Sequence, residues 1–376
     1  TRTLRTKPNE RENHVTASHK RTTSIGAALA LLVTMLVIIA SPATAATATV
    51  TNGNDSGPGS FRAAVEEASA NPAINRIRFD AGLNVRLDDA VVYEGPQALT
   101  IDGRNSTVRS SGTATPSTDW STGLFVSNGG GDLELKQLRF LDSFGSGVVV
   151  LVPSTQTGTQ TTTINDVDIL RAQFHGLYID DQATTGYNTD GVDHDMCMDP
   201  YPFESSASLS VDIRNSTFND NGRLDPLYDI SVETGCPQDF DGVRIDEGAN
   251  GDLVATMTNV DARRNLADGA EYDEKGSGSV LADTHNSSFD RNGETEPVFD
   301  PGEGEFVTDL DDGFDIDEEG PGGVVAVPRA APVELVWHVE RVDGAPVASR
   351  GADEAVNPAS LVKIARKIDA MNLPPA

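Results

Sequence analysis

Between about residues 49 and 327 the sequence lacks any stretch of helical periodicity long enough for an ordinary helix, apart from a short segment after Ser60. That absence excludes an all-α or helix-layered α/β domain over most of the chain. Lysine is scarce too, supplying only six of the 28 basic residues, against 58 acidic ones and a formal net charge of −30. Such a surface repels nucleic acid and anionic membrane, and favours cations. Cysteine is limited to Cys197 and Cys236. Their spacing suits neither a zinc site nor a redox CxxC, which leaves one disulfide as the expectation for an exported chain. Phosphate-binding glycine loops and the H-E-x-x-H and G-x-S-x-G signatures are all missing.

Long apolar runs are also missing, with one exception. Ile25 to Ala40 is apolar, follows the basic residues Arg2, Arg5, Lys7, Arg11, Lys20 and Arg21, and precedes Ala43-Thr44-Ala45. Basic, apolar and small-x-small regions in that order describe an export signal over residues 1–45, with cleavage before Ala46. The apolar run falls short of the ~20 residues that span a bilayer, so membrane association would come only through an uncleaved signal. Export places the chain outside the cell or on its surface. The segment holds six basic and two acidic residues, so the remainder is more negative still.

What is present from Thr49 onward is a background of Gly, Asn, Asp, Ser and Thr broken by short alternating runs, such as "ALTIDG", "DLELKQLRFLDS" and "SLSVDIRNSTF". Period-two alternation between turn residues predicts strands. Phrases recur. "DGVRIDE" begins at Asp241, "DGAEYDE" at Asp268 and "DGFDIDE" at Asp312, with "HGLYIDD" at His175 as a looser copy. "RNSTFNDN", "TNVDARRN" and "HNSSFDRN" alternate with them, and Asn259 to Asn286 repeats the 27-residue step from Asp241 to Asp268. A strand repeat of this length predicts an all-β solenoid over residues 46–328, best fitted by a right-handed parallel β-helix; a two-sheet sandwich is the rival. Val243 and Ile245 would point inward, and Arg244 and Asp246 to water. Asn215, Asn259 and Asn286 suit a left-handed backbone or an asparagine ladder at a turn. Ser60 is placed to cap a helix whose Phe61, Ala64, Val65 and Ala68 share one face, a lid for the first turn of the coil.

The stretch "VTNGNDSGPGSFRAAVEEASANPAINRIRF" followed by "LTIDG" resembles the opening of exported bacterial β-helix proteins of the pectin-lyase-like class. The resemblance implies the fold and a binding or structural role at the cell envelope, toward cell-wall peptide or polysaccharide. It also implies, as a further alternative, a polysaccharide lyase using calcium and a basic residue, for which Arg244, Arg263 and Arg264 are the nearest candidates.

No motif demands a cofactor, but two groups of carboxylates invite calcium. Strands stack ~4.8 Å apart, so Asp246, Asp273 and Asp317 fall in one row, and calcium accepts six to eight oxygen ligands. An acidic face open to water is the plain alternative. The interruption from Thr184 to Ser206 holds Asp190, Asp193, His194, Asp195 and Asp199 beside Tyr187, Tyr201 and Phe203, a loop for metal or sugar.

Residues 329–376 change in style. Two strands about a turn at Asp343-Gly344 lead to a helix expected from Pro358, with Ser360 and Lys363 three apart on one face. In an S-x-x-K pair the amine takes the serine proton as it attacks an acyl carbonyl. The phrase running from Gly344 through Val347, Ser349, Ala352, Asp353, Asn357, Pro358 and Ala359 to Ser360 and Lys363 resembles the start of penicillin-binding D-alanyl-D-alanine carboxypeptidases. The resemblance implies Ser360 as nucleophile and Lys363 as base, acting on peptidoglycan. The family's later S-x-N and K-T-G elements do not follow here, so this sequence carries a partial, truncated α/β segment without its oxyanion strand.

Overall fold

A computed structural model describes residues 46–117, 120–181, 205–222, 240–248, 250–274, 277–293, 313–316 and 323–325; by backbone it also describes 298–300, 305–307, 317–318, 326–329, 336–341, 346–350 and 361–366. The expected signal (1–45), Cys197, Cys236, Ser360 and residues 184–204 of the metal-or-sugar loop lie outside the described residues. The described chain is mostly strand, with one helix, Phe61–Ala70.

Two long sheets hold nearly all the strands, and their ladders are parallel save for one hairpin. The first sheet contains, in order, Ala46–Val50, Ile74–Phe79, Leu99–Ser110, Leu133–Leu141, Thr157–Leu170, Ser206–Arg214, Leu253–Thr258, Val280–His285 and Val324–Arg329. The second runs Val91–Tyr93, Gly123–Ser127, Ser146–Leu151, Leu177–Asp180, Val243–Glu247, Ala270–Glu274 and Phe314–Glu318. From Val91 to Arg329 the strands just named alternate between the two sheets, each beside the previous one of its own sheet, and an antiparallel pair, Val298–Asp300 and Glu305–Val307, stands apart from both. The three-residue strands Thr217–Asn219, Asp261–Arg263 and Ser288–Asp290 form a further parallel row continuing from Asp168–Leu170.

Inward alternation makes the core. Ile77, Ile101, Leu135, Ile164, Ile213 and Met257 of the first sheet are buried in one cluster with Val148, Val150, Ile179, Val243, Ile245, Tyr272 and Ile316 of the second. The helix closes this cluster at its N-terminal end. Ser60 caps it by accepting the Ala63 N–H at 3.1 Å, and Phe61, Ala64, Val65 and Ala68 are the buried face, as the spacing predicts. Phe61 packs on Phe79 and Phe125 at ring distances of 5.1 and 5.9 Å.

Corners repeat in register. Gln137, Asp166, Asn215, Asn259 and Asn286 all have φ between 47° and 58°, so the three expected asparagines do occupy left-handed turns. Their amides stack: Asn259 donates to Asn215 at 2.9 Å and Asn215 to Asn165 at 3.1 Å.

The C-terminal segment departs from expectation. Val336–Arg341 and Pro346–Arg350 form the expected hairpin, but Leu361–Arg366 is a strand, not a helix. It pairs in parallel with Val336–Arg341 on one edge and Phe314–Glu318 on the other. Val362 and Ile364 are β-branched and suit a ladder satisfied on both sides better than an isolated short helix. The apposition of residues 360 and 363 that a helix would provide is therefore not what orders Lys363, and the strand Val324–Arg329 crosses the boundary expected at 328.

Candidate functional site

The repeated phrases place three polar rows on the outer face of the second sheet. Tyr178, Arg244, Glu271 and Asp315 are register partners, as are Asp180, Asp246, Asp273 and Asp317. The row expected from "IDD", "IDE" and "YDE" thus exists in the backbone register. The phrase-opening residues Asp241 and Asp268 are linked by the Asp268 N–H, which donates to Asp241 Oδ1 at 2.8 Å, and Asp241 N–H donates to His175 Nδ1 at 3.1 Å.

Val243 and Ile245 point into the core as expected, but the other face is not open to water. Asp246 and Asp273 are each 5% exposed, and the side chain of Arg244 is 14% exposed. The reason is pairing across strands. Arg244 donates from Nε to Asp246 Oδ1 at 2.7 Å, from Nη2 to Asp273 Oδ2 at 2.6 Å, and from Nη1 to Glu271 Oε2. One guanidinium so draws together carboxylates of two adjacent strands. His175, stacked on Tyr178 at 5.1 Å and edge-on to Phe240 at 5.4 Å, walls the same face. Tyr178 donates to Asp180 Oδ2 at 2.8 Å.

Asp241, Asp268 and Glu271 form the tightest group: one carboxylate oxygen of each lies within 4.8 Å of the others, and all three are buried. Asp241 is fully buried, and its Oδ2 accepts no hydrogen bond. Two basic side chains stand near it, His175 Nδ1 at 3.5 Å and Arg244 Nη1 at 3.8 Å. The histidine contact is not an ion pair, because Nδ1 already accepts the Asp241 N–H and carries no proton there. Burial pushes the Asp241 carboxyl up to about 7, opposed by Arg244, the Asp268 N–H and a hydrogen bond with Glu271, and reinforced by Asp246. Asp180, Asp241, Asp246, Asp268, Glu271, Asp273 and Asp315 are all buried here. A buried carboxylate oxygen that no N–H or hydroxyl reaches, as Asp241 Oδ2 is, invites a proton or a metal ion.

Sequence reasoning had found Asp246, Asp273 and Asp317, yet the first two are the ones Arg244 neutralises, and the side chain of Asp317 lies outside the described residues. It missed Asp241, Asp268 and Glu271, although Asp241 and Asp268 open the repeated phrases and share the 27-residue step. Arg263 and Arg264, the other basic candidates, pair with Asp261 and with Asp220 at 2.9 Å. Lysis by Arg244 would require it to leave three carboxylates. No protein-family model and no curated protein matches the chain.

Proposed function

We propose that this is an exported right-handed parallel β-helix with a binding role at the cell envelope, and that its acidic face holds calcium. The return of the chain to the same two, almost wholly parallel ladders supports a coil, since each turn would add a strand to each ladder. One observation carries the metal reading: Asp241 Oδ2, fully buried and reached by no N–H or hydroxyl, in a group with Asp268 and Glu271 within 4.8 Å. Calcium suits it because the donors are all oxygen, and because it accepts high coordination with loose geometry. Asp241, Asp268 and Glu271 would be its protein ligands. A cation seated on this face would also turn a repelling surface into one that an anionic cell-wall polysaccharide can approach.

Isothermal titration of calcium into the chelator-treated chain tests the reading. The expected result is saturable binding that weakens at least about tenfold in Asp241→Asn, the loss of one charged ligand. Absence of binding heat together with an unchanged Tm in calcium would reject it.

A further inference from the structure

A second acidic row stands apart from the Asp241 group, at the end of the same strands. Asp181 follows Leu177–Asp180, and its N–H donates to the Asp246 carbonyl at 3.0 Å, which sets it beside Glu247. Glu247 is the register partner of Glu274. Asp181, Glu247 and Glu274 are each 0% exposed, more deeply buried than the Arg244 network.

The outer two have local donors. Ser205 gives its N–H to Asp181 Oδ1 at 3.2 Å and its hydroxyl to Oδ2 at 2.9 Å. Gly278 gives its N–H to Glu274 Oε1 at 3.0 Å. Glu247 has no such help. No N–H or hydroxyl reaches either of its oxygens, and the Gly251 backbone closes in so tightly that a Cβ there would stand 2.2 Å from Oε1. The groups left to hydrogen-bond with it are carboxyls, Asp181 from the preceding strand and Glu274 from the following one. An ionised Glu247, buried between the carboxylates of Asp181 and Glu274 with no donor at either oxygen, would be repelled by several kcal/mol at an effective dielectric of about 20. A proton on Glu247 removes that repulsion and supplies the hydrogen that its own oxygens lack.

We propose that Asp181, Glu247 and Glu274 form a proton-bridged carboxyl column that fastens three successive strands of the second sheet in acid and loosens them in alkali. Burial, and then the charges of Asp181 and Glu274, push the Glu247 carboxyl up to about 9, in agreement with a proton held at neutral pH. The folded column keeps that proton where the unfolded chain has released it. Stability from this source is therefore complete below the ordinary Glu range of 4.5 and erodes as pH rises to about 9. The column is independent of calcium at Asp241, and its test is run in chelator.

Urea unfolding of the full chain and of Glu247→Gln is compared from pH 5 to 9. The amide keeps the shape and a hydrogen to donate but cannot ionise. The ratio of the wild-type to the variant unfolding constant is expected to grow about tenfold per pH unit across that window. Parallel profiles would overturn the proposal. Should the variant not fold, the wild-type chain decides: its infrared spectrum at pH 8 must show the C=O stretch of a protonated carboxyl that vanishes on unfolding, and a spectrum without it overturns the column equally.

Discussion

The residue that best explains how these turns stay in register is asparagine, and it acts at two depths. The outer ladder of Asn215, Asn259 and Asn286 is exposed at all three residues and chiefly supplies left-handed backbone, which asparagine tolerates better than most side chains. An inner ladder of Asn221, Asn265 and Asn292 satisfies buried backbone. Asn265 Oδ1 accepts the Asn221 N–H and its amide at 3.1 Å each, while Asn265 Nδ2 donates to the Phe218 carbonyl at 3.0 Å and to Asn292 Oδ1 at 3.1 Å. Asn265→Ala would leave the Asn221 N–H and the Phe218 carbonyl buried without partners. It is expected to cost about 2 to 6 kcal/mol, since each of the two orphaned groups costs about 1 to 3. Asn259→Gly, which keeps the turn and removes only an exposed amide, should change stability by less than about 1 kcal/mol. Denaturant midpoints of the two variants separate the roles, and equal effects would contradict the division. The outer ladder was legible because Asn recurs inside quoted phrases at turn positions. The inner one closes the same phrases, but burial is not written in a residue type that is usually exposed.

At the scale of elements, the N-terminal helix was legible to the residue and the last strand was not. Ser60 and the apolar spacing of Phe61, Ala64, Val65 and Ala68 are local signals, and local signals suffice for a capped amphipathic helix. Leu361–Arg366 takes its conformation from partners distant in sequence, Phe314–Glu318 and Val336–Arg341, and no window around it contains that information. The same holds for Arg244: its alternation gives the face correctly, whereas its burial depends on Glu271 and Asp273 on the next strand of the sheet. The helix offers the sharper test. Ser60→Ala removes one capping acceptor and is expected to cost about 1 kcal/mol. Phe61→Ala deletes a ring packed on Phe79 and Phe125 and should cost about 3 to 5 kcal/mol. Because that ring also shields the first strands, Phe61→Ala should self-associate in light scattering while Ser60→Ala stays as the parent does. A monodisperse Phe61→Ala variant would show that the helix is not the guard of that end.

At the scale of the whole molecule, the question is whether the two sheets behave as a stack of turns or as one cooperative block. Each inner strand of the first sheet pairs with the strands before and after it in the sheet order, and the buried residues of both sheets form one long cluster. A coil of this kind should transmit damage to its nearest neighbours and lose it with distance. A sandwich whose strands all share one core should instead lose protection throughout. Leu135, fully buried in Leu133–Leu141, sits between Leu99–Ser110 and Thr157–Leu170. Leu135→Ala removes core volume at a single level, at a cost of about 2 to 5 kcal/mol. Native-state amide exchange should then accelerate in those three strands well before it does in Leu253–Thr258 or Val280–His285, several turns away. Uniform acceleration from Ile77 to Ala282 would mean one cooperative core and would remove the solenoid reading, and with it the reason for treating the Asp241 group and the Glu247 column as sites that a single turn builds with its two neighbours.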